Sequence, residues 1–498
     1  MFLPKECFWH KIKISKRKSV IKMTTLESVF NPHRFRQQAH ELVDILADYL
    51  QNAQDETLKT TIPWTEPEDS LAYWQADFEK PLLDNPNDFF KDVLDKSTHL
   101  HHPHYMGHQV STVAPLAALS GLLTGLLNNG MAVYEMGLVS NPLERIVTDW
   151  LAQQLGFTES GGGMLTSGGT LANLTALLAA RATKAPNDVW TEGSNERLAV
   201  MVSDEAHYCI DRAARIMGFG SAGIIKIPTN EKYQMQTNLL KKYYENAQKE
   251  GLTVIAVIGS VCSTSTGSYD DLEAIADFCE KHHLWFHADG AHGGAVAVSE
   301  KYRHLLRGVE RADSVVVDFH KMMLIPALCT ALLFKNPNHA FETFQQKAQY
   351  LWANQASKDW FNSGKRTFEC TKFMMSVKIY ALMRTYGEAV FKEMIDTTYD
   401  LGQKMAEILR GRSHFELPVE PQSNVVCFRY ISDKVLNIND LNAQIRRRLL
   451  EKGDFYIVQT ILQGDTYLRV TLMNPLTQSR HLEELLDEIE QLAAELET

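Results

Sequence analysis

Between residues 198 and 335 the chain repeats one pattern, and that pattern limits the folds open to it. Short apolar, β-branched runs alternate with stretches of helical spacing. The runs are Leu198 to Ser203, Ile224 to Pro228, Thr253 to Val261, Leu284 to Ala288, Ser314 to Val317 and Thr330 to Lys335. Each is too short and too evenly apolar for an amphipathic helix, and reads as a strand buried on both faces. Strands joined by helices predict a mostly parallel sheet covered by helices, an α/β architecture.

Several of these strands stop abruptly at polar residues. Leu198 to Ser203 runs into Asp204-Glu205-Ala206-His207. Thr253 to Val261 runs into Cys262-Ser263-Thr264. Leu284 to Ala288 delivers Asp289, and Ser314 to Val317 delivers Asp318-Phe319-His320-Lys321. In a parallel sheet these ends share one edge, where open α/β sheets bind their ligands. Upstream, Ser167-Gly168-Gly169-Thr170 meets an Ala/Leu-rich stretch at once, which predicts a glycine turn opening a helix. Free amides and the positive end of the helix dipole there suit a single phosphate. The sequence around it is neither GxxxxGK[ST] nor GxGxxG. A lysine held in such a crevice loses hydration, which favours the free, nucleophilic amine.

The rest of the chain frames this centre. Pro32 to Gln54 has the spacing of an amphipathic helix, and Thr61 to Asn87 reads as a connection rich in Pro, Asp and Trp. His101 to Thr112 holds four histidines within eight residues. Their spacing matches no zinc pattern and no CxxC pair accompanies them, so a pocket wall carrying His108 and Gln109 is expected and no metal. Pro337 to Lys365 reads as a loop able to close over a site. The C-terminal part reads as a small α+β lobe with strands at Val425 to Tyr430 and Thr466 to Thr471. A net charge of −11 disfavours nucleic acid as a partner. No apolar run is long enough to span a membrane. Seven scattered cysteines read as reduced thiols of a cytoplasmic protein. The basic stretch 1–22 precedes Met23 and reads as a disordered extension. A helical segment is expected over 23–110, a large domain over 111–375 and a small C-terminal domain over 376–498.

A lysine, a carboxylate, a histidine and an anion-binding helix start are the parts that hold pyridoxal phosphate. Asp289 precedes Lys321 by 32 residues (321 minus 289), room for one helix and one strand. Asp289-x-Ala291, His320-Lys321, Ala206-His207 and SGGT resemble the group II pyridoxal-phosphate-dependent amino-acid decarboxylases. So do His102-Pro103, Gly169 to Arg181, Phe368 to Lys372 and Leu468 to Thr477. The resemblance implies the fold type I, aminotransferase-like fold and a homodimer with active sites at the interface. It implies Lys321 as the lysine that carries the cofactor as a Schiff base, and Asp289 as partner of the ring nitrogen. His207 is implied on one face of the ring and Ala291 on the other. Gly168, Gly169 and Thr170 are implied as the phosphate cradle, His320 close by, and Thr264 lining the cofactor region. His108 and Gln109 fall in the substrate pocket, whose ligand is a small amino acid.

Two departures carry information. Many members have Asn-Pro before His-Lys; Asp318-Phe319 here, like His108, resembles the 2,4-diaminobutyrate decarboxylase branch. The family's mobile loop often carries a tyrosine that supplies a proton, and the matching position here is Phe361. Members with phenylalanine there release an aldehyde by decarboxylation coupled to oxidative deamination, so that outcome and another fold type I reaction, such as transamination, are the alternatives.

Overall fold

The computed structural model describes residues 24–158, 162–344 and 358–497. The extension 1–22 and residues 345–357 of the expected closing loop lie outside these residues. The chain divides into two compact units, residues 24–51 with 68–96, and residues 52–67 with 97–497.

The first unit is helical. Thr25–Val29 begins in a capping box made by Thr24 and Glu27. Pro32–Gln54, Pro67–Phe78 and Pro86–Asp95 follow. The Glu41 carboxylate accepts from Asn87 at 2.7 Å and from Asn85 at 3.2 Å. The Pro67–Phe78 helix corrects the reading of Thr61 to Asn87 as a plain connection. Proline at the first helical position, followed by Glu68 and Asp69 in the first turn, is a helix start. The density of Pro and Asp around it hides that signal.

The second unit carries two sheets. The larger has the order β1-β7-β6-β5-β4-β2-β3, with β1 Met164–Thr166, β2 Leu198–Ser203, β3 Ile224–Ile227, β4 Thr253–Ser260, β5 Trp285–Asp289, β6 Ser314–Asp318 and β7 Thr330–Phe334. Strands β3, β2, β4, β5 and β6 are parallel. Strand β7 runs antiparallel to both β6 and β1. Valine, isoleucine and alanine fill these strands because helices bury both faces. The helix Gly169–Lys184 packs small residues, among them Ala172, Ala176 and Ala180, onto one face.

The smaller sheet is antiparallel, β10-β11-β9-β8, with β8 Phe415–Glu416, β9 Val425–Tyr430, β10 Val458–Leu462 and β11 Asp465–Thr471. The helices Ile438–Lys452 and Ser479–Leu496 bury Ile445, Leu449, Leu482 and Leu486 in a core with Val426, Phe428 and Leu468 of this sheet. The short β8 and the half-exposed β10 were not legible as strands in the sequence. Among the described residues no helix is long and apolar enough to cross a membrane.

Candidate active site

Register puts the site together. Ser260 of β4 lies beside Asp289 of β5, and Asp289 beside Val316 of β6. Asp318 pairs with Thr330 of β7, which pairs with Thr166 of β1. The ends of β1, β2, β4, β5 and β6 therefore share one edge. There they enclose a cavity of about 430 Å³, lined among others by His207, Thr264, Asp289, Asp318 and Lys321.

The glycine turn after β1 forms one wall. Gly168 has φ +106°, a conformation few side chains adopt. Gly169 is the first residue of its helix, and a Cβ there would lie 3.3 Å from both Asp318 carboxylate oxygens and 3.5 Å from the Ala291 Cβ. Ser167 donates through its amide and its hydroxyl to Glu369 Oε1, at 3.2 and 2.9 Å.

Lys321 lines the same cavity. Its ammonium lies 3.1 Å from Asp318 Oδ2, and the Asp318 side chain is 1% exposed. Thr330 donates its hydroxyl to the other Asp318 oxygen. Burial pulls the Lys321 pKa down, but Asp318, and after it Asp289, outweigh burial and hold the amine above its ordinary range. This overturns the expectation that lost hydration alone would free the amine: the sequence reading counted the desolvation and not the carboxylate three residues away. His320 Nε2 approaches Asp318 Oδ2 at 3.6 Å, and its Nδ1 lies 2.9 Å from the Cys329 carbonyl.

Asp289 accepts the Ala291 amide at 3.3 Å. His207 Nδ1 accepts the Cys209 amide at 3.3 Å, and burial pulls the ring's pKa down although Asp289 works against it. Behind Asp289, on the same face of β5, His287 is fully buried. Its Nε2 meets Asn173 Oδ1 at 2.7 Å and its Nδ1 meets Ser314 Oγ at 2.8 Å, and burial brings its pKa to about 4. This relay ties the cavity floor to the Gly169–Lys184 helix.

Gly168, Gly169, Thr170, His207, Thr264, Asp289, Ala291, His320 and Lys321 all line the one cavity. His108, Gln109 and Phe361 are not part of that lining. His108 packs its ring 6.0 Å from Tyr456, and Phe361 packs 5.7 Å from Tyr134. The Gln109 amide nitrogen is buried with no partner among the described residues. Sequence reasoning passed over Arg469 and His292. Arg469 is 7% exposed, donates to the Thr264 carbonyl at 2.8 Å, and has a buried Nε with no partner among the described residues. A cation among the apolar residues of β11 was the available signal.

The histidine-rich segment has another use. His104, Glu56 and His481 bring ligand-type atoms within 4.8 Å of one another. However, His481 Nδ1 accepts the Gln478 amide at 2.9 Å, so its proton sits on Nε2, 3.3 Å from Glu56 Oε1. A ring fixed that way has no lone pair to offer a metal on that side. It closes the start of the last helix instead.

Residues 65–431 match the pyridoxal-dependent decarboxylase conserved domain. The chain belongs to the pyridoxal-dependent decarboxylase family. It is 27% identical over 469 residues to an aromatic-L-amino-acid decarboxylase of Bacillus atrophaeus, covering 93% of this chain and 96% of that one. It is 28% identical over 416 residues to an L-2,4-diaminobutyrate decarboxylase of Acinetobacter baumannii, covering 80% and 81%. The crystal structure of mouse CSAD matches with a TM-score of 0.85 and 25% identity, over 93% of this chain and 99% of that one. The fold is the fold type I arrangement, and the protein is a decarboxylase of the amino-acid class with pyridoxal phosphate as cofactor. The cavity fits this group. It is of small-ligand size and offers an amine, a carboxylate and a glycine-lined helix start on different walls.

Proposed function

We propose that Lys321 carries the cofactor and that the enzyme removes the α-carboxylate of a small L-amino acid, giving the amine and carbon dioxide. The observation that carries this reading is the convergence of Lys321, Asp289, His207 and the Gly169 helix start on one cavity. Bound pyridoxal phosphate supplies an electron sink for the pair released when the bond to the carboxylate breaks. Asp289 keeps a proton on the ring nitrogen, which deepens that sink. Amides at Gly169 and Thr170 would hold the phosphate, with Gly168 shaping the turn by donating its amide to the Thr166 carbonyl and His320 beside them. His207 would cover one ring face, and Ala291 is small enough that it would leave room on the other. Thr264 closes the wall next to Arg469, whose buried guanidinium suits the substrate carboxylate. Lys321 Nζ would hold the cofactor and would pass a proton to and from the substrate amine.

The first candidate substrate is L-2,4-diaminobutyrate. The Asp318-Phe319 pair and the activity named for the Acinetobacter baumannii relative support it. We also read the active enzyme as a homodimer in the cytoplasm, with 23–110 as dimerisation segment, 111–375 as large domain and 376–498 as small domain. The helix Pro115–Leu127 supports the dimer. Its Leu119, Leu122, Leu123, Leu126 and Leu127 share one stripe and are about half exposed or more. Five of the six described cysteines are buried and all six are free, in keeping with a reducing compartment.

The test is a panel of amino acids (2,4-diaminobutyrate, glutamate, aspartate, ornithine, lysine, tyrosine, tryptophan, histidine) scored for carbon dioxide, amine, ammonia and peroxide. Loaded protein should be yellow and bleached by borohydride, and Lys321→Ala should be inert. A colourless wild type would refute the cofactor role of Lys321. Ammonia with peroxide would replace the amine product by the aldehyde raised by Phe361.

A further inference from the structure

After Asp289 ends β5, the chain turns through Gly290 and Ala291 into His292. The His292 ring is 3% exposed and lines the same cavity as Lys321. Its Nε2 lies 2.7 Å from Asn424 Oδ1. The Asn424 amide is oriented by its own nitrogen, which donates to the Leu472 carbonyl at 3.0 Å and lies 3.6 Å from the Met322 sulfur. Oδ1 therefore accepts, and the imidazole proton sits on Nε2. That leaves Nδ1 as a lone pair. It is buried and has no hydrogen-bond partner among the described residues. Buried acceptors are almost always satisfied, so one left open inside a ligand cavity points to a donor that belongs to the working state.

The amine that lines the same cavity as the His292 ring is Lys321. Of the charged groups acting on this ring, the Lys321 ammonium acts most strongly, ahead of Asp318 and Arg469. The other titratable groups of the cavity are Asp289, Arg212, Cys262, Cys209, His207 and His320. Burial, reinforced by the lysine, brings the His292 pKa to about 4, so the ring stays neutral at any ordinary pH.

We propose that His292 positions the amino group at the reactive end of the cavity: Nδ1 accepts an N–H hydrogen bond from Lys321 or from the substrate amine that takes its place. This rests on the assignment of Lys321 as the cofactor lysine. Asp318 and His292 then divide the work. Asp318 holds the amine by charge and raises its pKa. His292 aims an N–H without competing for the proton, and offers nothing to a carboxylate.

Two variants test this. His292→Phe removes the acceptor and keeps a flat ring; His292→Gln keeps a carbonyl acceptor. Each is loaded with pyridoxal phosphate, its visible absorption is titrated against pH without substrate, and its thermal unfolding is recorded. The titration midpoint of His292→Phe should fall by about one pH unit, a tenfold change in the protonation equilibrium. His292→Gln should recover at least half of that shift. A yellow His292→Phe enzyme with the wild-type midpoint overturns the proposal, and so does His292→Gln moving as far as His292→Phe. Should His292→Phe fail to fold, nitrogen NMR of labelled histidine in the wild type decides. The Nδ1 resonance should move from the free to the hydrogen-bonded position on loading, and an unmoved resonance overturns the proposal. Wild type that stays colourless after loading overturns instead the assignment of Lys321 on which it rests.

Discussion

Replacing Asp318 by asparagine should make cofactor loading faster and shift its pH dependence to lower pH. Asp318 is 1% exposed and its Oδ2 lies 3.1 Å from Lys321 Nζ. At that distance the attraction is about 5 kcal/mol for an effective dielectric near 20. Burial offsets part of this, and Asp289 remains as a second carboxylate. A downward shift is therefore expected for Asp318→Asn. Only the free amine adds to the cofactor aldehyde. The Lys321 pKa is raised, so at neutral pH the amine is mostly protonated and loading speeds up as pH rises toward that pKa. Each unit by which the pKa falls makes loading near neutral pH about tenfold faster. The assay mixes cofactor-free protein rapidly with pyridoxal phosphate and follows the visible band across pH. Asparagine also removes a negative charge beside the phosphate cradle, so pyridoxal without its phosphate is run in parallel. The shift should appear with both. An unchanged profile, or a shift seen only with the phosphorylated aldehyde, would refute the claim that Asp318 controls the Lys321 proton.

Three further outcomes follow from buried charges and relays. Glu144→Gln should cost about 3–5 kcal/mol, because it leaves Lys372 and Arg366 buried without their carboxylate; the Lys372 pair is 2.7 Å long and both of its side chains are at most 1% exposed. Urea unfolding checks this, and a loss under about 1 kcal/mol would show that the cations find other partners. Asn173→Ala should lower stability by about 1–3 kcal/mol by stranding His287 Nε2, read as a fall in thermal midpoint with the cavity charges intact. Glu56 is held down to about 2, first by its hydrogen bonds to Arg480. Because its folded pKa is depressed, its contribution is present above the ordinary carboxylate pKa and is lost as pH falls from there toward about 2. With its side chain 27% exposed, solvent screening reduces the expected loss in Glu56→Gln to about 1–2 kcal/mol near neutral pH. That loss should vanish in acid unfolding experiments, and a loss independent of pH would sink the linkage.

The chain's local chemistry announced the central elements. Runs such as Ser314 to Val317 have one stable use, a strand buried on both faces, and an abrupt polar end marks where the sheet stops. The glycine turn at Ser167 to Thr170 needs residues without a Cβ, so it also shows in the composition. Elements held by tertiary contacts did not show. Strand β10 keeps one face wet, and the Pro67–Phe78 helix begins where proline and aspartate suggest a loop.

The same division holds at the site. The sequence alone determined which residues end neighbouring parallel strands, because connection length and strand direction leave little freedom: Asp289 and Lys321 belong to one edge by topology. Only the tertiary structure decided what their surroundings do to them. It set Asp318 against Lys321 and so reversed the sense of the amine's pKa shift. It brought Arg469 from the far end of the chain to Thr264, and it fixed the His292 proton through Asn424. The Asp318–Lys321 contact depends on how the chain turns at the end of β6, and the other two depend on distances of about 3 Å between residues far apart in sequence, which exist only after the two sheets have packed.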